Sequence, residues 1–431
     1  MNLKALSGCA ALGGLAAGIA LASTMPGDYA IVTDDARLDI LFYSDVAGAA
    51  LGAVVATLVA WWVRGQRRSA GAALAGIALL AVAALSGTWQ FELYPNAIGA
   101  GLLLGGLAGL CTSSLPQAAL AAGVIAGSLV AGPLETYRQS SMPRRYADYL
   151  VDAGRSTDSS GPAGLVVLVL LASTAALLIV ALVRSGASPD HGPGEPGNPA
   201  GARGRQLVVG ILVPLVGLAL YWWFVRTLET PTTGTPGRWV CGIAVVPVVL
   251  AAALWLPGRL GAVLLGSMAF IAAAETGYPG GMDRHASPWL LVTVVLVLLG
   301  ALLGRRLPRP LAGVAALAVV AASATLDQPP WDNLHIGAVL LGLPLAAGYT
   351  VVASLPSSPS VTSTALAAPA VLVVPFTAQF GWTAYSPLTE RALGSPSVWS
   401  LASAAVPVAV IVACGVAMGW VRRRPAEPEL S

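Results

Sequence analysis

Of the 431 residues, 56% are apolar and only 10% charged, and the net charge is +3. The mean hydropathy is +0.76, which excludes a water-solvated globule and makes lipid the solvent. Nucleic-acid, nucleotide and metal-cluster functions find no support, because no Walker-type loop occurs and His191, His285 and His335 stand isolated.

The apolar residues fall into stretches of roughly 18 to 22, the length that crosses about 30 Å of hydrocarbon at 1.5 Å per residue. These predict an all-α, polytopic integral membrane protein of about fourteen helices. They lie at 4–24, 46–64, 70–88, 96–114, 116–133, 163–184, 207–225, 238–256, 258–275, 288–304, 311–325, 335–354, 363–380 and 397–421. Charged residues all fall in loops or at helix ends, as the cost of burying a charge requires.

Charge also predicts orientation. One set of loops holds Lys4, Arg64, Arg67, Arg68, Arg184, Arg203, Arg205, Arg259, Arg305, Arg306, Arg309 and Arg422 to Arg424, fourteen bases against the four acids Asp190, Glu195, Glu427 and Glu429. The other set holds nine bases and sixteen acids. The positive-inside rule therefore predicts both termini in the cytoplasm. All twelve tryptophans fall at predicted helix ends, where indole is half buried and half hydrogen-bonded. One lysine beside 22 arginines suggests a high-GC bacterial genome, hence a bacterial plasma membrane.

Cys9, Cys111, Cys241 and Cys414 lie in or at the ends of spans without metal or redox spacing, and read as small buried apolar residues. Leu6-Ser7-Gly8-Cys9 looks like a lipoprotein cleavage box, but the eight residues before the cysteine are too few for a charged plus an apolar region. Gly and Pro dominate 185–206, which reads as a flexible cytoplasmic linker. In the outer segment 134–162, Tyr146, Tyr149 and Leu150 share one face of a short interfacial helix.

Sliding the chain on itself by 237 places matches the third helix to the eleventh at Ala75/Ala312, Gly76/Gly313, Ala78/Ala315, Leu80/Leu317, Ala81/Ala318, Val82/Val319, Ala84/Ala321, Ser86/Ser323 and Thr88/Thr325. The match continues with Asn96/Asn333, Ile98-Gly99-Ala100 against Ile336-Gly337-Ala338, and Ser114-Leu115-Pro116 against Ser354-Leu355-Pro356. Arg67-Arg68 pairs with Arg305-Arg306. Helices 1 to 6 thus correspond to helices 9 to 14 in parallel, with two helices inserted. The expected units are a six-helix half at 1–184, the linker at 185–206, the inserted pair at 207–256 and a second six-helix half at 257–431.

This arrangement resembles the fourteen-helix branch of the major facilitator superfamily. Gly65-Gln66-Arg67-Arg68 and Gly304-Arg305-Arg306 correspond to the family's basic turn between second and third helices, although Trp62 stands where the family has an aspartate. Asn96-Ala97-Ile98-Gly99-Ala100-Gly101 follows its fourth-helix glycine pattern, with Leu93 in place of the arginine. Gly132-Pro133 lies where the family's exporters carry Gly-Pro near the outer end of the fifth helix.

The resemblance implies a permease or exporter of a small molecule that works by alternating access. Its cavity would be lined by helices 1, 4, 9 and 12. Substrate-binding or coupling candidates are Asn96 and Asn333, the symmetric pair, with His335, Asp45, Glu135 and Glu275 at the rim; each also fits a helix cap or a solvated helix end. Gly101, Gly105 and Gly109 on helix 4, Gly48 and Gly52 on helix 2, and Gly132-Pro133 are gating or packing candidates. No cofactor or metal is expected. The partners are the bilayer, an unidentified small molecule and, in one reading, another membrane protein.

Two other functions fit the same sequence. Asp34-Asp35, with Asp28 and Asp39 near, stand in the first outer loop, where C-type polyprenyl-dependent glycosyltransferases place a catalytic acidic pair. A carrier-derived membrane subunit that does not transport is the other.

Overall fold

The computed structural model describes residues 3–22, 45–63, 65–86, 89–139, 162–184, 200–229, 244–256, 260–274, 287–326, 330–356 and 398–423. The expected helix at 363–380, Asp34, Asp35, Glu275, the interfacial segment beyond 139 and most of the linker lie outside them.

The described helices are α1 (Leu3–Ala22), α2 (Asp45–Trp62), α3 (Gln66–Ser86), α4 (Trp89–Leu110), α5 (Ser114–Gln139), α6 (Pro162–Arg184) and α7 (Ala200–Glu229). There follow α8 (Val245–Trp255), α9 (Leu260–Ala274), α10 (Ser287–Arg306) and α11 (Pro310–Ala322), the last extended by a 3-10 turn, Ser323–Leu326. Then α12 runs from Asp332 to Ser354 with a π-helical stretch at Ala338–Gly342, and α13 spans Val398–Arg423. Among the described residues every regular element is helical, and eight helices are long and apolar enough to cross a bilayer, with shorter apolar ones beside them. Hydrophobic side chains line much of the outer surface, for example Leu165 at 62% exposure, Leu291 at 70% and Val416 at 70%. In water that surface would be costly; in hydrocarbon it is the natural boundary of a multi-pass membrane protein. Trp62, Trp255, Trp289, Trp331 and Trp420 are exposed at or near helix ends, as interfacial indoles should be.

Several ends differ from expectation. The helix α4 starts at Trp89 and passes through Pro95, and α5 continues past Gly132-Pro133 to Gln139. In a membrane helix a proline frees a carbonyl that neighbouring helices can accommodate, so it need not end the helix. The end of the expected linker is helical, because α7 begins at Ala200.

In the N-terminal part α1 packs on α5, α4 and α6; α4 lies between α2 and α3; α3 also meets α6. The C-terminal part repeats this: α9 packs on α12 and α13, α12 lies between α10 and α11, and α11 also meets α13. The two parts meet where α5 touches α10 and α12. The added helices lean one each way, α7 on α2 and α8 on α9 and α13.

Backbone-to-backbone contacts at glycine hold the first set together. Gly14 and Gly18 of α1 face the main chain of α5 around Leu120 to Ser128, and Gly123 and Gly127 of α5 face that of α1 around Ala11 to Ile19. A Cβ at any of these four would fall under 3.0 Å from a backbone atom. Small residues four apart are the usual way for membrane helices to approach closely, since dispersion then replaces the missing hydrophobic drive.

The repeat has a register of its own. Trp62 and Arg306, Gln66 and Pro310, and Leu110 and Ser354 are equivalent helix ends, each 244 positions apart. The identities in sequence run at 237 to 240. Consequently Arg67-Arg68 opens α3 while Arg305-Arg306 closes α10, and Ser114 opens α5 while Ser354 closes α12.

Candidate functional site

Of the sequence candidates, Gly101 and Gly105 are resolved most clearly. Both face α2: Gly101 lies on the Gly52 carbonyl and Val55, Gly105 on the Ala56 carbonyl and Val59. Their role is packing, and Gly109, which meets Ser69 of α3, completes the series. Gly65, at φ 93°, turns the chain between α2 and α3 in a conformation that suits only glycine. Its expected counterpart Gly304 makes no turn: it sits inside α10 against the Tyr349 carbonyl, and Leu307 to Arg309 form the bend instead.

Asn96 and Asn333 are not at equal depth. Asn96 is half-buried, seven residues into α4, whereas Asn333 is exposed in the first turn of α12. At 1.5 Å per residue the difference is about 9 Å along the helices. Asn333 caps nothing, since Trp331 holds the N-cap without a side-chain bond. Asp45 opens α2, and Gly132, Pro133 and Glu135 lie within α5, Pro133 being buried.

His335 is the rim candidate with a defined environment. It is 4% exposed, and its Nδ1 is 2.9 Å from Ser323 Oγ at the end of α11. Ser323 Oγ donates to the Val320 carbonyl at 2.6 Å, which leaves its lone pairs to accept from Nδ1–H. Three residues on, α12 enters its π-helical stretch. One extra residue per turn swings the helix between His335 and Leu343, and such stretches are frequent at functional positions.

A second polar group was missed from sequence. On α12 Thr350 donates to the Ala346 carbonyl (2.6 Å) and Ser354 to the Thr350 carbonyl (2.7 Å), so both hydroxyls are spent on their own helix. They border Gly266 of α9, and the next residue, Ser267, is 1% exposed with a hydroxyl that has no partner among the described residues. A single serine in Leu-Gly-Ala-Val-Leu-Leu-Gly-Ser-Met-Ala-Phe was the available signal. The equivalent junction of α1 and α4 is aliphatic around Leu103, Leu104 and Leu107, all fully buried. Cys9 Sγ donates to the Thr174 carbonyl at 3.6 Å.

At the meeting of the two parts, Leu290 near the start of α10 packs on the pair Ile19 and Leu134. The stretch Leu343–Ser354 of α12 touches α5 toward the other end.

Among the described residues the chain is an all-helical membrane protein built from two similarly packed parts. Among solved structures, the chain resembles the major facilitator superfamily proton:xylose symporter XylE bound to 6-bromo-6-deoxy-D-glucose, at 12% identity and a TM-score of 0.50, over 97% of this chain and 96% of that one. It also matches an auto-inhibited POT family peptide transporter (15% identity, TM-score 0.49, 100% and 98% covered) and the major facilitator transporter FucP in an outward conformation (13%, 0.47, 98% and 99%). No family model and no curated protein matches the sequence. The fold is therefore that of the major facilitator superfamily.

Proposed function

We propose that the protein is a permease or exporter of a small molecule that exchanges its two access states by rocking one helical half against the other. The observation that carries this reading is the repeated packing scheme, α1/α4/α2/α3/α6 in one part and α9/α12/α10/α11/α13 in the other, joined through α5. In an alternating-access carrier each half moves as a body about a site between them, which this arrangement permits. The cytoplasmic position of both termini, the linker and the inserted pair α7 and α8 belong to the same proposal.

Among the described residues the buried polar groups along α9 and α12 are hydroxyls and one imidazole, and charged residues in the helices stay within two turns of the ends. This favours an uncharged cargo, since an ionic one buried without a counter-charge would cost several kcal/mol. Ser267 and His335 are the groups we assign to cargo binding or coupling, with Asn96 third.

The full chain reconstituted in proteoliposomes should move one or more solutes from a panel of neutral, anionic and cationic compounds, the neutral ones fastest. A folded, reconstituted protein that moves none of them would remove the carrier reading.

A further inference from the structure

Two hydrogen-bond donors are buried without partners on helices that touch. Trp61 Nε1 on α2 and Gln206 Nε2 on α7 are both inaccessible and unbonded among the described residues, and Gln206 as a whole is 4% exposed. The register of the pair follows from Gly210, which packs directly on the Thr57 side chain. The helices run in opposite directions, so one turn on from Thr57 and one turn back from Gly210 bring Trp61 and Gln206 to the same level, toward the face where Arg67, Arg68 and Arg205 stand. Thr57, whose hydroxyl donates to the Ala53 carbonyl at 2.9 Å, accepts from neither of them.

A buried N–H without an acceptor is unfavourable, and two converging donors call for a group that only accepts. The surroundings define its charge and its solvent. Arg205 precedes Gln206 and is half-buried, and the α2–α3 turn brings Arg67 and Arg68 within a few residues of Trp61. Flanking the seam, Leu58 (38% exposed) and Trp62 (79%) on α2, and Val208 (36%) and Leu212 (52%) on α7, face outward. An occupant there has basic residues at its head and an apolar surface along its length.

We propose that the groove between α2 and α7 binds the phosphate of an anionic phospholipid from the leaflet at the arginine-rich face, with Trp61 Nε1 and Gln206 Nε2 donating to its oxygens. Basic residues between membrane helices suit such headgroups, and the acyl chains lie along Leu58 and Leu212. The site lies on the added helix α7 and does not depend on what the protein carries.

Full-length protein in nanodiscs of phosphatidylcholine alone, or with phosphatidylglycerol, tests this by native mass spectrometry of retained lipid and by the thermal midpoint. Phosphatidylglycerol should be retained in preference and raise the midpoint. Trp61→Phe and Gln206→Leu should each weaken retention of phosphatidylglycerol about tenfold, the effect of one lost charge-assisted hydrogen bond. Trp61→Phe keeps an aromatic side chain and carries the test should Gln206→Leu fail to fold, which size-exclusion chromatography reports. Equal retention of both lipids, or unchanged phosphatidylglycerol retention by folded Trp61→Phe, overturns the proposal. So does full stabilisation of phosphatidylcholine nanodiscs by inorganic phosphate, which would reassign the groove to a soluble anion.

Discussion

The helices α4 and α12 hold the same place in their respective parts, each between the second and third helices of its set, yet they are built differently. In α4 the glycines at 99, 101, 105 and 106 meet the main chain or side chains of α2 and α3, and the remaining interior is leucine and alanine. On α12 only Gly348 makes such a contact, and the interior holds His335, Thr350 and Ser354 beside a π-helical stretch. Glycine contacts leave nothing to rearrange, because no side chain intervenes. A helix with one surplus residue in its winding has a second, regular winding open to it. The difference points to α12 as the helix in which a change of state should be absorbed.

The strongest way to break that comparison is to fill the glycine seam. Gly127→Leu puts a Cβ under 3.0 Å from the Leu15 carbonyl, and Gly123→Leu does the same at Ala11. Overpacking of about 3 kcal/mol or more should leave little folded protein on size-exclusion chromatography. By contrast Gly337→Ala, at a site with nothing within 4 Å, should leave the thermal midpoint unchanged or slightly raised.

Next is deletion of Leu341 from the π-helical stretch. It would restore regular winding while leaving His335 and Leu343 facing as they do, because the wide turn is what absorbs the surplus residue. The expected outcome is a folded protein with transport lost. Unimpaired flux in proteoliposomes would deny α12 any special part in the cycle.

Smaller effects separate the rim residues. His335→Ala leaves Ser323 without its imidazole partner and should cost about 1 kcal/mol in thermal stability. Asn333→Ala, at an exposed residue, should cost less than about 0.5 kcal/mol. Equal losses would restore the asparagines and histidine to one class. Least perturbing is thiol labelling: Cys9, Cys111 and Cys414 are buried in both parts, so a Cys241→Ser variant should take up no N-ethylmaleimide while folded.

Much of this was legible in the amino-acid order. Transfer of an apolar segment into hydrocarbon is nearly additive over its residues, so windows of hydropathy located α1 to α12 and α13 to within a few residues, apart from the start of α4 and the ends of α5, α7 and α8. The small-residue spacing on α4 marked it as a helix that neighbours can approach closely, while the neighbour that meets Gly101 and Gly105, α2, came from the packing.

Tertiary structure decided the rest. A shift of seven residues is two helical turns, so it keeps the same face toward the core and barely alters an Ala/Leu/Gly pattern. Sequence identity therefore settled on one register and packing on another, which is why Asn96 and Asn333 part company. The partner of His335, the burial of the Ser267 hydroxyl and the setting of α7 against α2 at Gly210 and Thr57 all depend on how distant helices are set against one another. Hydropathy fixes only that each segment enters the bilayer; contacts between side chains on different helices fix the depth and rotation at which it rests.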